Sequence, residues 1–215
     1  MGAPDSAPRR PAWLGSLVES APDVVAVWLA MGGDFDGLLA ARREMRRRVT
    51  TGSASAVLAQ QDAVADALAA VLRDLPEAAL RAPGGEEDWN VAQAFAHTTA
   101  ARRFLPAWAA MAAADEWPAD QPPVVIPSVP GPADASVEDL LTLLAKSRRS
   151  QERSATLIAG HETRRCPLAH PLVGHLRCGD WLLFAGVHDL MHLEQLHRIA
   201  GADQPARPAP GSPAA

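Results

Sequence analysis

Val57, Leu58, Val64, Leu68, Val71, Leu72 and Leu75 recur at the spacing of one helical face. An amphipathic stripe of this length must be buried against other elements, so it constrains the fold more than any other feature. The segment predicts a helix from Ser53 or Ser55 to Leu75, stopped by Pro76. Three further segments follow the same logic. Asn90, with Gln93 three residues on, has the form of a capping box, and the helix it opens should run through His97 and Phe104. Pro106 should end or kink that helix before AWAAMAAA. Ser136 and Asp139 open the next, which carries Val137, Leu140, Leu141, Leu144, Leu157 and Ile158. The last spans about Asp180 to Ala200, with Gly201 as the residue just past its end.

Abundant Ala and Leu favour helix over sheet, and no segment reads convincingly as a strand. The expectation is an all-α four-helix bundle over residues 51–201. The Pro-rich stretch WPADQPPVVIPSVPGPA is long enough for a crossover along the bundle. Residues 22–50 form a helical N-terminal extension, broken at Gly32 and Gly33, that packs on the bundle or mediates association. Residues 1–21 and 202–215, rich in Pro and polar residues, read as disordered tails.

The 215-residue chain carries 25 acidic and 20 basic residues, a formal net charge of −5. That balance offers no general attraction for nucleic acid or an anionic membrane. RREMRRR, at the end of the extension, reads as a solvated basic helix end, favoured by the C-terminal dipole. No continuous apolar run is long enough to span a membrane, and the N-terminus lacks the apolar core of a signal peptide. Two cysteines, Cys166 and Cys178, make no disulfide framework in a chain of this size. The expected compartment is the cytoplasm.

The chemistry lies in the histidines. At about 100° per residue, placing His188 at zero puts His192 near 40° and Gln195 near −20°. Trp181, Phe184 and Ile199 share that sector, so both histidines lie on the core-facing stripe, while His197 falls on the opposite, solvent side. His97 shares a sector with Ala94, Ala101, Phe104 and Trp108 and also points inward. A buried imidazole with an unpaired nitrogen costs about 1–3 kcal/mol, so three aimed into one core need a reason. A divalent metal held by His97, His188 and His192 supplies one; a hydrogen-bonded polar cluster including Gln195 is the other. Three neutral nitrogen ligands suit zinc, nickel, cobalt or ferrous iron, and three protein ligands leave a position open, as in catalytic sites. Gln195 would orient a ligand or bind the metal's water, or else serve as an ordinary polar residue near the helix end.

Other motifs compete less well. His188-Asp189-Leu190-Met191-His192 differs from H-E-x-x-H by a shorter acid, no third ligand follows it, and Asp189 lies off the core stripe, about 100° from His188. Glu194 to His197 matches E-x-x-H, but di-iron bundles need two copies. Cys166, His170, His175 and Cys178 have no common zinc spacing and read as ordinary residues with reduced thiols.

With these residues placed, two stretches resemble the DinB-like superfamily of metal-binding four-helix bundles. One is DWNVAQAFAH; the other is HPLVGHLRCGDWLLFAGVHDLMHLEQL, with its His-Pro-x-x-Gly loop and W-x6-H-x3-H-x2-Q pattern. The resemblance covers roughly residues 53–200 and implies His97, His188 and His192 as metal ligands. It further implies one divalent ion, zinc or nickel, and a low-molecular-weight thiol of the mycothiol or bacillithiol type, used in transfer or isomerisation; dimerisation is a family-level expectation. Trp181, Phe184, Phe104 and Trp108, with Gln195, would line a pocket for an apolar electrophile, or the aromatics serve as ordinary core, the reading that most such side chains take. A non-catalytic stress-associated bundle and a metal-dependent hydrolase are the competing functional classes.

Overall fold

Two capping boxes start two of the long helices. Asn90 accepts from the Gln93 backbone N–H at 2.9 Å while the Gln93 side chain accepts from the Asn90 N–H at 3.1 Å. Ser136 and Asp139 make the same reciprocal pair. In the computed structural model, which describes residues 11–32, 35–82, 89–119, 128–171 and 173–199, the helices are α1 (Gly15–Ser20), α2 (Pro22–Met31), α3 (Phe35–Arg48), α4 (Ala54–Asp74), α5 (Val91–Ala113), α6 (Val137–Ile158) and α7 (Cys178–Ile199). The end of α7 near Gly201 and the tail 202–215 lie outside the described residues, as do residues 1–10.

Helices α4 and α5 each pack against α6 and α7. Contacts fix the directions. Arg81, just past α4, donates to the carbonyls of Ala133, Asp134 and Ala135 ahead of α6, and Glu162, just past α6, accepts from Gly52 and Ala54 at the start of α4. These two helices therefore run antiparallel, with Arg148 bridging to Asp62 and Asp66 between. The segment after α5 returns to its start, where Gly131 N–H donates to the Gln93 carbonyl and the Asn90 side chain donates to Ala133. Helix α6 therefore begins beside the beginning of α5, and the Pro-rich connection is the crossover of an all-α bundle. The core is one cluster containing Val64, Leu68, Phe95, Leu144, Trp181 and Leu190. By length and composition α4 is apolar enough to cross a membrane, yet its Val57, Val64, Leu68 and Leu72 face is buried here.

Four expectations are corrected. Helix α5 does not end at Pro106 but continues to Ala113. Proline removes one hydrogen bond, at about 3 kcal/mol in a helix interior. The Ala-rich sequence beyond it favours helix, and Ala109, Ala110, Ala112 and Ala113 are all buried there, which offsets that cost. A two-stranded antiparallel hairpin, β1 (Arg165–His170) and β2 (Gly174–Arg177), precedes α7 where no strand was expected. Its alternation is short: Cys166, Leu168 and Leu176 point inward, and the run is too brief to stand out from a loop. The tail assigned to residues 1–21 contains a 3-10 turn, Ala12–Leu14, and α1, which bury Leu14 and Leu17 in the core. Three prolines and several charged residues mask two well-spaced leucines. Finally, Asp189 is fully buried, although it lies off the stripe that carries the histidines.

The extension breaks at Gly32 and is tied to the bundle at both ends. Gln60 of α4 accepts from the Asp23 and Val24 backbone N–H groups at the start of α2 and donates to the Asp23 carboxylate. Beyond α3, the Arg177 guanidinium donates to the carbonyls of Arg46 and Val49. Glu162 accepts from the backbone N–H groups of Gly52 and Ala54, capping α4 from a distant loop.

Candidate metal centre

Helix α5 runs antiparallel to α7, so His97, on its second turn, meets His188 and His192 one turn apart on α7. The His97 ring centre lies 5.4 Å from that of His188 and 5.0 Å from that of His192. Potential ligand atoms of the three lie within 4.8 Å of one another. His188 Nε2 and His192 Nε2 are 3.3 Å apart. Two nitrogens on one tetrahedral ion, each bonded at about 2.0–2.1 Å, stand roughly 3.3 Å apart, so the separation fits a shared cation.

Neighbours set the tautomers. The Val129 carbonyl accepts from His97 Nδ1–H at 3.0 Å, and Gln195 Oε1 accepts from His192 Nδ1–H at 2.8 Å. With the proton on Nδ1, each ring presents an Nε2 lone pair, the form a metal requires. His188 Nδ1 is buried with no hydrogen-bond partner among the described residues. Burial, then the adjacent His192 and His97, hold the His188 imidazole well below its ordinary pKa. Burial pushes His192 down to about 4, against the Gln195 hydrogen bond. Neutral imidazoles at neutral pH are what the donor set needs, and the residues fit a divalent ion.

The support of His97 was not visible in the sequence. Val129 arrives through the Pro-rich crossover, and Gly131 is what lets that segment lie on α5. A Cβ at Gly131 would collide with the Ala96 side chain. Trp89, immediately before the cap, packs edge-on against His97 at 5.0 Å.

All three histidines open onto a cavity of about 530 Å³. Phe104, Trp108, Phe184 and Gln195 line it, as the sequence suggested; Trp181 does not. Trp181 is fully buried in the core, its ring 6.0 Å from Phe184. Phe104 is 52% exposed and stands at the rim. Gln195 reaches the site through its hydrogen bond to His192. His197, expected beside solvent, is half-buried and stacks on Trp13 of the N-terminal segment at 5.3 Å.

Three further contributors were missed or misplaced. His170 on β1 lines the same cavity, its ring 4.9 Å from Phe184, and burial pushes its pKa down to about 4. Its former partners in a hypothetical zinc site do not join it. His175 is exposed, and Cys166 and Cys178 are buried thiols that burial pushes up to about 11 and about 12. Among the described residues, His97, His188 and His192 are the one group of three able to share an ion. Asp189, next to His188, makes a fully buried ion pair with Arg102, which also donates to Ser147 and Gln151 on α6. Met31 of α2 and Leu38 of α3 close one side of the cavity.

A sequence model of the DinB superfamily matches residues 60–196, more than half of the chain. Comparison with curated proteins and with solved structures gave no match.

Proposed function

The chain belongs to the DinB superfamily, and on that premise we propose that it binds one divalent metal ion, zinc or nickel, through His97, His188 and His192 and catalyses thiol transfer to an apolar electrophile. The observation that carries the reading is the convergence of two tautomer-fixed imidazoles with a third on the wall of an apolar cavity. A divalent ion held there would lower the pKa of a thiol in its open position and keep it as thiolate. The chain's own residues do the rest. Val129 and Gln195 hold the ligand protons on Nδ1, while Phe184, Trp108 and Leu168 exclude water and accommodate an apolar partner. His170, half-buried and neutral, adds a polar group to the same wall.

Metal analysis of the purified protein comes first: about one ion per chain in wild type and none in His97→Ala or His188→Ala. A wild-type protein that takes up no stoichiometric zinc or nickel would remove the proposal. Metal-loaded protein is then assayed with mycothiol or bacillithiol and an aryl halide. Thiol consumption that depends on the metal and on His188 supports transfer; thiol-independent hydrolysis of an ester substrate would move the reading to the hydrolase class.

A further inference from the structure

The family match begins at residue 60, yet one wall of the cavity comes from before it. Met31, the last residue of α2, and Leu38, in the first turn of α3, line the cavity together with Ala100, Ala101 and Leu105 of α5. The two alanines leave the room, and the two longer side chains limit it. Their position is held by close backbone packing. A Cβ at Gly37 would collide with the Met31 carbonyl, so α3 can approach the end of α2 only because residue 37 has no side chain. Helix α2 is in turn seated on α7, where Gly186 admits the Val24 side chain at 3.0 Å from where its own Cβ would stand. The wall is therefore a built part of the cavity and not a loosely attached arm.

We propose that Met31 and Leu38 form the specificity wall of this chain's cavity and select ligands with an extended apolar body behind the group that meets the histidines. The inference rests on the cavity being the ligand site of the proposed function. A volume of about 530 Å³ is that of a drug-sized ligand site. A two- or three-carbon thiol would leave most of it empty. Apolar side chains from α2, α3, α5, β1 and α7 surround the space, so each further methylene would leave water for hydrocarbon contact.

The test uses full-length zinc-loaded protein and two series, 1-alkanethiols and 1-alkanols from propyl to octyl, followed by calorimetry. In wild type each added methylene should tighten binding about fourfold until the cavity is full. Met31→Trp and Leu38→Trp should cut the series short, weakening the octyl members at least tenfold relative to wild type and leaving the propyl members and the zinc content unchanged. Met31→Ala and Leu38→Ala, which make no demand on packing space, should weaken the octyl members several-fold with the propyl members again unchanged. An octyl-to-propyl ratio that is the same in wild type and the folded variants, or a wild type with no gain along either series, overturns the wall. Alcohols binding as tightly as thiols, with the variant effects intact, would remove the thiol reading and leave the wall standing.

Discussion

Helices α5 and α7 carry two polar clusters within about one turn of each other, and the two are built on opposite plans. In one, the Arg102 guanidinium donates from all three nitrogens, to Asp189, Ser147 and Gln151, so that α5, α6 and α7 are joined through a single cation. In the other, His97, His188 and His192 bring their rings together, His188 Nε2 and His192 Nε2 lie 3.3 Å apart, and His188 Nδ1 has no partner among the described residues. Adjacent positions, His188 and Asp189, thus belong to different designs. The first cluster supplies its own countercharge; the second has none, and its three imidazoles could share a cation. Each cluster keeps buried atoms without a hydrogen-bond partner among the described residues, Asp189 Oδ1 and Gln151 Nε2 in the first and His188 Nδ1 in the second, so it is the internal countercharge that separates them.

The contrast is sharpest under substitution. Asp189→Ala strands the Arg102 charge in the core and should lower the unfolding free energy by about 3–5 kcal/mol, read by urea denaturation of metal-free protein. A loss below about 1 kcal/mol would mean the pair is not the structural clamp described. His188→Ala should do the reverse: metal-free stability within about 1 kcal/mol of wild type, because an unpaired buried nitrogen is removed. It should also abolish the gain of about 4 kcal/mol expected for wild type at metal concentrations a thousandfold above Kd. Retained metal stabilisation in that variant would break the comparison.

Smaller effects test the supports. Gln195→Ala should keep the metal at about 10–100-fold lower affinity, measured by competition with a chromogenic chelator. Gly131→Ala, which pushes the Val129 carbonyl off His97, should give a loss in the lower part of that range. Equal affinity in all these proteins would show that the tautomers are set elsewhere. Glu162 serves as a buried charge distant from both clusters. Burial raises its pKa, but the backbone N–H groups of Glu162, Gly52, Ala54 and Gly160 outweigh burial and leave it below the ordinary 4.5. A depressed folded pKa stabilises above the unfolded value and loses that contribution as pH falls through the folded one. The stability gap between wild type and Glu162→Gln should therefore be full at pH 6 and narrow progressively below about pH 4.5.

Parts of this architecture were open to reading from local pattern. The Asn90–Gln93 and Ser136–Asp139 boxes lie within three residues and fix helix starts whatever the surroundings. Where reading failed, the deciding contacts came from far away in the chain. Asp189 lies about 100° off the histidine stripe, which suggests solvent only if α7 has one buried face. Nearly every residue from Cys178 to Leu190 is buried, because α7 packs against α2, α4 and α5 at once. His197 falls on the solvent side by the same count, and it is Trp13, from far upstream in the chain, that stacks over it.

By itself the sequence determined the four long helices, the bundle class and the inward direction of His97, His188 and His192, since periodicity and capping act over a few residues. Tertiary structure decided which nitrogens face each other, that Val129 and Gln195 orient two of the rings, that Arg102 finds Asp189, and that Met31 and Leu38 wall the cavity. Those outcomes depend on the order and direction in which helices pack and on a glycine lying under a returning loop, and such long-range geometry leaves no periodic trace along the chain.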